Sequence, residues 1–353
     1  METLRRDFLK LAAATAAAVP LIPLHSAEAA NAPASPPGPD PLLMGEAKYI
    51  EADGYRTRYF DGGNGPPLVL VHGGQWPAIA SANRWAPIFD HLAAHYHVYA
   101  LDKLGMGYTA APRTDKDFTM EAITNHIFGF INALGLERVI LGGHSRGCLP
   151  IARIAAEHPE RVSHLIIFDS NTLAPDDPNT PPRVDPPVIE TLPSREEVLA
   201  QLMEDEHIYT KTFITDAYVD AEYEVAQNPQ RRAIDQRFRA ARDRWVAANP
   251  DIVAERPAFA NNMGATTWWM SEMKNETLAM INAGNLEAPT LIIWGFNDPT
   301  APYFLAVNLM ETVSKVVEHT ELHIVNHSGH RLAEEQPAKV AQLIDNFVKA
   351  TPV

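Results

Sequence analysis

Apolar residues recur in six short, nearly unbroken runs at 67–72, 96–102, 138–143, 164–169, 290–294 and 321–325. Continuous rather than alternating apolarity marks a strand buried on both faces. Helical periodicity fills the stretches around 118–135 and 148–158, and an amphipathic helix is predicted over 334–348. Strands alternating with helices imply an α/β class fold, a mostly parallel, doubly wound sheet with helices on both sides. Upstream, the stretch from Tyr49 to Phe60 is interrupted by Asp53-Gly54, the chemistry of a tight hairpin turn.

The alternation stops between 174 and 288. Pro175, Pro178, Pro181, Pro182, Pro186, Pro187 and Pro193 punctuate its start. Ser194-Arg-Glu-Glu197 then has the form of a capping box that opens a helix. Further helices are predicted near 229–247 and 266–283. The division is therefore a core of 47–173 and 289–353, with 174–288 inserted as a helical lid. Trp268, Trp269, Met270 and Met273 cluster on one lid segment, offering an apolar surface to a small-molecule substrate.

Composition narrows the partners. The formal net charge of −15 opposes nucleic-acid binding, which needs a basic face. A single cysteine excludes an internal disulfide and any cysteine-based zinc knuckle. No cofactor or metal is expected. His91, His95 and His97 have near-metal spacing but straddle a helix end without a carboxylate cluster. The 29 prolines exceed the usual share and concentrate in two connectors.

The first connector, 30–46, holds Pro33, Pro36, Pro37, Pro39 and Pro41 and reads as a linker. Residues 1–29 before it read as an export signal. Arg5-Arg6-Asp7-Phe8-Leu9-Lys10 resembles the twin-arginine pattern, with Leu4 where a Ser or Thr is usual. An Ala-rich stretch too short to span a membrane follows, and Ala27-Glu28-Ala29 or Ala30-Asn31-Ala32 supplies the cleavage site. The expectation is export to the periplasm through the folded-protein export machinery, with no stable membrane insertion.

Candidate chemistry centres on Gly143-His144-Ser145-Arg146-Gly147, between a buried strand and a helix. A serine on such a turn is thrust out at the carboxyl edge of the sheet, and the flanking glycines let the backbone pass closely. Trp294-Gly-Phe-Asn-Asp298 ends a late strand, and Ser328-Gly-His330 follows the last one. In this order the motifs resemble the α/β-hydrolase family over roughly residues 45–350. The resemblance implies a triad: Ser145 as nucleophile, His330 as base and then acid, and Asp298 orienting the imidazole. Asp169 is the competing acid. It also implies an oxyanion hole from the backbone of Gly74 (or Gln75) and Arg146. His72 and the Asp102-Lys-Leu-Gly-Met-Gly107 turn read as structural. Cys148 reads as packing, and His327 as a loop residue near the entrance.

Serine at the elbow argues against the carboxylate-nucleophile branches of the family. The layout is nearest to the meta-cleavage-product hydrolases. Two features depart from them: His144 stands where Asn is common, and no lid arginine for a substrate carboxylate is evident near the acidic stretch at 219–224. The reading placed first is a serine hydrolase of a small to medium, largely apolar ester or lactone. The alternatives are a carbon–carbon bond hydrolase of 2-hydroxy-6-oxo-dienoates and a non-catalytic hydrolase-like binding protein. Gln75, Trp85, His144, Trp268 and Trp269 are the candidate pocket residues.

Overall fold

A computed structural model describes residues 44–74, 76, 80–180, 191–255 and 262–353, without the side chains of 255 and 262–271. The predicted signal and nearly all of the linker lie outside the described residues, as do Gln75 and the side chains of Trp268 and Trp269.

Among the described residues the sheet has eight strands, numbered in chain order and arranged β1-β2-β4-β3-β5-β6-β7-β8. β1 (Lys48–Ala52) and β2 (Tyr55–Gly62) form the predicted hairpin, with Ala52 facing Tyr55 across a two-residue turn. Asp53 at φ 51° and Gly54 at φ 75° both take left-handed backbone, as the favoured short hairpin turn requires. β2 joins β4 (His97–Leu101) antiparallel. From there β3 (Pro67–Val71), β5 (Val139–His144), β6 (Val162–Phe168), β7 (Thr290–Gly295) and β8 (Thr320–Val325) pair in parallel. Every residue of β5 and β7 is buried, which accounts for their unbroken apolar runs.

Helices cover both faces. One carries α1 (Ala86–Ala93) and α11 (Pro337–Ala350), whose Ile88, Leu92, Ile344 and Phe347 pack on Leu68, Leu70 and Ile166. The other carries α2 (Met120–Ala133), α3 (Cys148–Glu157) and α9 (Phe304–Val313), packed on Val69, Val71, Leu141 and Ile292. Burying each such aliphatic side chain contributes about 1.5–3 kcal/mol.

Among the described residues between β6 and β7 stand five helices: α4 (Arg195–Glu204), α5 (Asp216–Ala226), α6 (Gln230–Ala248), α7 (Pro250–Glu255) and α8 (Asn262–Asn282). The Ser194 box forms in both directions, Ser194 Oγ accepting from Glu197 N and Glu197 Oε2 from Ser194 N at 2.6 Å. α5 is additional to the sequence expectation, being capped by Thr215, whose Oγ1 accepts from Tyr218 N at 3.2 Å.

The predicted terminal helix is two helices, α10 (Leu332–Glu335) and α11. Pro337 is the cause. It lacks an N–H, and its ring drives Gln336 out of helical conformation, to φ −135° and ψ 56°.

Strand order locates the site. From β3 the chain moves outward to β4, and from β5 it moves the opposite way to β6, although β3 and β5 are neighbours. The connections therefore diverge at their carboxyl ends and leave a crevice there. The segments after β3 and β5 are His72-Gly73-Gly74 and Ser145-Arg146-Gly147.

Candidate active site

The elbow is strained as its position demands. Ser145 sits at φ 51°, which costs a non-glycine residue about 1–3 kcal/mol unless the surroundings hold it. Ser170 Oγ and Thr172 Oγ1 do so, both donating to the Ser145 carbonyl, at 2.7 and 3.1 Å. The glycines are sterically required. A Cβ on Gly147 would stand 2.5 Å from the Val71 carbonyl, and one on Gly143 2.6 Å from Ile151 Cδ1.

Three predicted residues meet here. Ser145 Oγ is 3.0 Å from His330 Nε2, and His330 Nδ1 is 2.6 Å from Asp298 Oδ2. A carboxylate only accepts, so Nδ1 carries the proton and Nε2 is left to accept from serine. The other Asp298 oxygen accepts the Thr300 and Ala301 N–H groups at 2.7 and 2.9 Å, which fixes the carboxylate.

Asp169, the competing acid, is not bonded to His330. Its Oδ1 accepts from Gly295 N at 2.7 Å, and burial and then the Asp298 charge raise its carboxyl well above the usual range. It serves the backbone where β6 and β7 end.

The loop after β3 passes directly beside the nucleophile. A Cβ on Gly73 would stand 3.1 Å from Ser145 Cβ and 2.6 Å from His144 Nδ1. Gly74, at φ 71°, has its carbonyl held by Lys103 Nζ at 2.6 Å. Lys103 is fully buried, and burial, reinforced by Arg146, pushes its amine well below the ordinary lysine value. Arg146, 8% exposed, follows the serine with its N–H in the short turn that opens α3. His72 is structural, its ring bridging the Gly73 carbonyl at 2.7 Å and Lys103 N at 3.1 Å.

His144 is buried, and burial, then His330, pushes its imidazole well below its ordinary value. Its Nε2 donates to the His330 carbonyl at 2.6 Å. It therefore braces the histidine loop. Trp85 is 2% exposed and packs against Phe168, 5.8 Å between ring centroids. It lines a small cavity shared with His144, Arg84 and Arg331.

The other sequence candidates take plainer places. Cys148 Sγ donates to the Gly143 carbonyl at 2.8 Å, and burial pushes its thiol up to about 12, leaving it unreactive. Asp102 ties β2 to the turn after β4, accepting from Arg58 Nε at 2.6 Å and from the Ala82 and Tyr108 N–H groups. His97 meets Asp61 at 3.1 Å and stacks on Tyr99. His327 lies at the rim, 3.3 Å from the Tyr209 hydroxyl.

Three residues here escaped the sequence reading. A lysine directly after the apolar run 96–102 was the available signal for Lys103. Glu335 lies within the segment after His330 that carried the family resemblance, but its partners are remote in sequence. Arg231, on α6, has all three guanidinium nitrogens shut off from solvent with no hydrogen-bond partner among the described residues. Burial lowers its pKa to about 10. The nearby carboxyl of Glu222, 4% exposed, likewise has Oε1 unpartnered among the described residues.

Among the described residues no helix is long and apolar enough to cross a membrane.

Comparison with known proteins agrees with this architecture. The chain is 25% identical over 307 residues to the 2-hydroxy-6-oxo-2,4-heptadienoate hydrolase of Pseudomonas putida, covering 86% of this chain and 96% of that one. It is 26% identical over 307 residues to the 2-hydroxymuconate semialdehyde hydrolase of a Pseudomonas species, covering 85% and 92%. The crystal structure of a meta-cleavage product hydrolase from Pseudomonas fluorescens matches with a TM-score of 0.62 at 24% identity, covering 88% and 100%. Residues 66–337 match the family described as alpha/beta hydrolase fold. The chain belongs to the alpha/beta hydrolase fold family.

Proposed function

We propose that this protein is a serine-dependent carbon–carbon bond hydrolase acting on 2-hydroxy-6-oxo-dienoates. The observation that carries this reading is likeness to two dienoate hydrolases over nearly their whole length. It moves ahead of the ester reading that the sequence placed first.

The roles follow from the geometry. Ser145 is the nucleophile, His330 takes its proton, and Asp298 keeps the imidazole in the productive tautomer and stabilises the imidazolium. The N–H groups of Gly74 and Arg146 are the proposed oxyanion donors, where each correctly placed donor supplies about 3 kcal/mol. The net reaction adds water across the bond between the keto carbon and the dienol chain, giving a carboxylic acid and a 2-hydroxydienoate. The five helices between β6 and β7 serve as the cap over this site.

Such a substrate carries a carboxylate, and Arg231, whose charged neighbours are Asp235 and Glu222, is the cap cation we assign to it. A buried guanidinium is costly without an acceptor, and a carboxylate supplies two. Arg231→Met is expected to raise KM for the dienoate by about tenfold or more, leaving a neutral p-nitrophenyl ester unaffected. Equal effects on both substrates contradict the assignment.

Incubation with 2-hydroxy-6-oxohepta-2,4-dienoate, followed by chromatography, tests the reaction itself. The expected products are acetate and 2-hydroxypentadienoate, and an unchanged dienoate rejects the reading. A second reading, hydrolysis of an exported ester or lactone, is favoured by the twin-arginine pattern at Arg5-Arg6, since ring-cleavage products arise inside cells. Export is part of our proposal under either chemistry. N-terminal sequencing of periplasmic protein should find a start near Ala30, and a start at Met1 excludes it.

A further inference from the structure

The loop carrying His330 is held from its far side by the cap. The His330 N–H donates to the His207 carbonyl at 2.7 Å. Gly329 lacks a Cβ where that carbonyl presses: an added Cβ would collide with it and stand 3.1 Å from Tyr209 N. One side chain closes this junction. Glu335, 6% exposed, accepts the Gly329 N–H on Oε1 at 2.9 Å and the Thr210 N–H on Oε2 at 2.7 Å. A single carboxylate thus takes one donor from Gly329, the residue before His330, and one from the cap. Gln336 Nε2, bonded to the carbonyls of Asn326 and His327, and Thr210 Oγ1, 3.3 Å from the His327 carbonyl, flank it.

We propose that Glu335 is a positioning residue that makes the cap part of the triad: His330 is held on Ser145 only while the 205–210 segment is docked through this carboxylate. The geometry of the junction matches a carboxylate. Two N–H groups converge on it, one on each oxygen, and a side chain with two acceptor oxygens and no donor satisfies both in this geometry. An amide turns an N–H₂ against one of them and breaks the bond to the cap or to the histidine loop. The inference rests on the triad reading above.

The test uses the full chain and a fluorophosphonate probe of Ser145. In Glu335→Gln, the labelling rate and kcat on a p-nitrophenyl ester should fall together by about 10- to 100-fold, as misplacing a catalytic group by about 1 Å does. KM should stay within about twofold, because the substrate surface is untouched. Amides of 205–210 should exchange hydrogen faster, while near-UV circular dichroism is retained. Glu335→Asp keeps two acceptors and should recover part of the rate. Should Glu335→Gln fail to fold, Thr210→Pro removes the cap-side N–H, with Thr210→Val as the control for the hydroxyl it also removes, and is expected to show the same loss of labelling. An unchanged labelling rate alongside faster exchange at 205–210, in either folded variant, overturns the proposal. A wild-type protein that the probe does not label at all rejects the triad reading instead.

Discussion

Replacing Asp298 by Asn removes one charge and should leave the fold intact, yet the hydrogen bonds dictate how the new amide must sit. The Thr300 and Ala301 N–H groups, at 2.7 and 2.9 Å, both need an acceptor, so the amide oxygen faces them. The NH₂ then faces His330 Nδ1, where the carboxylate now lies at 2.6 Å. A donor at that position forces Nδ1 to become the acceptor and moves the imidazole proton to Nε2. Nε2 is 3.0 Å from Ser145 Oγ and, once protonated, cannot take the serine proton. A tautomer inversion of this kind costs about 10⁴ in kcat, or about 5 kcal/mol of transition-state stabilisation. Stopped-flow decay of the dienoate and the rate of fluorophosphonate labelling both report it, with Asp169→Asn as the control. Turnover of Asp298→Asn within tenfold of wild type, with Asp169→Asn reduced by orders of magnitude, would refute the assignment.

Further outcomes follow from single contacts. Gly147→Ala places a Cβ 2.5 Å from the Val71 carbonyl and 2.8 Å from that of His72, where only backbone can yield. Urea unfolding should show a loss of more than about 2 kcal/mol, and activity should fall with it. Ser194→Ala removes the oxygen that caps α4 and should cost about 1 kcal/mol, with no change in KM. The Asp205–His207 pair, 2.6 Å apart, predicts a pH window. The bond to Asp205 raises the His207 pKa, so its contribution is full below about 6.5 and is lost as pH rises through the raised value. Although burial opposes it, bonds from His207 hold Asp205 at about 2, so that contribution exists above about pH 4 and is lost as pH falls. Thermal melts should therefore show the greatest deficit of His207→Gln between about pH 4 and 6.5. A deficit independent of pH contradicts the pairing.

What the sequence could and could not reveal follows from the range of the interactions. β5 and β7 are buried on both faces, so their apolar runs announce themselves. Ser145, Asp298 and His330 each sit in a turn directly after a strand, where local motif and position coincide. α5 was missed because its buried Tyr218, Val219 and Val225 are interleaved with acids along 216–226. The break at Pro337 was legible in principle, since proline cannot continue a hydrogen-bonded helix, but the periodicity runs through it. Glu335 meets Thr210, 125 positions away, and Lys103 meets a carbonyl 29 positions away. Such pairings arise only when the segment between β6 and β7 and the loops after the strands converge. Arg231 carries no pattern in sequence, for its signal is the lack of an acceptor among the described residues rather than a contact.

The central claim is that Ser145, activated by His330 and Asp298, cleaves a carbon–carbon bond. Its most direct measurement is kcat/KM for 2-hydroxy-6-oxohepta-2,4-dienoate relative to a p-nitrophenyl ester, with Ser145→Ala as the blank. The account predicts a preference for the dienoate of at least about a hundredfold, about 2.7 kcal/mol, abolished in Ser145→Ala. Efficient ester turnover with negligible cleavage of the dienoate would contradict it.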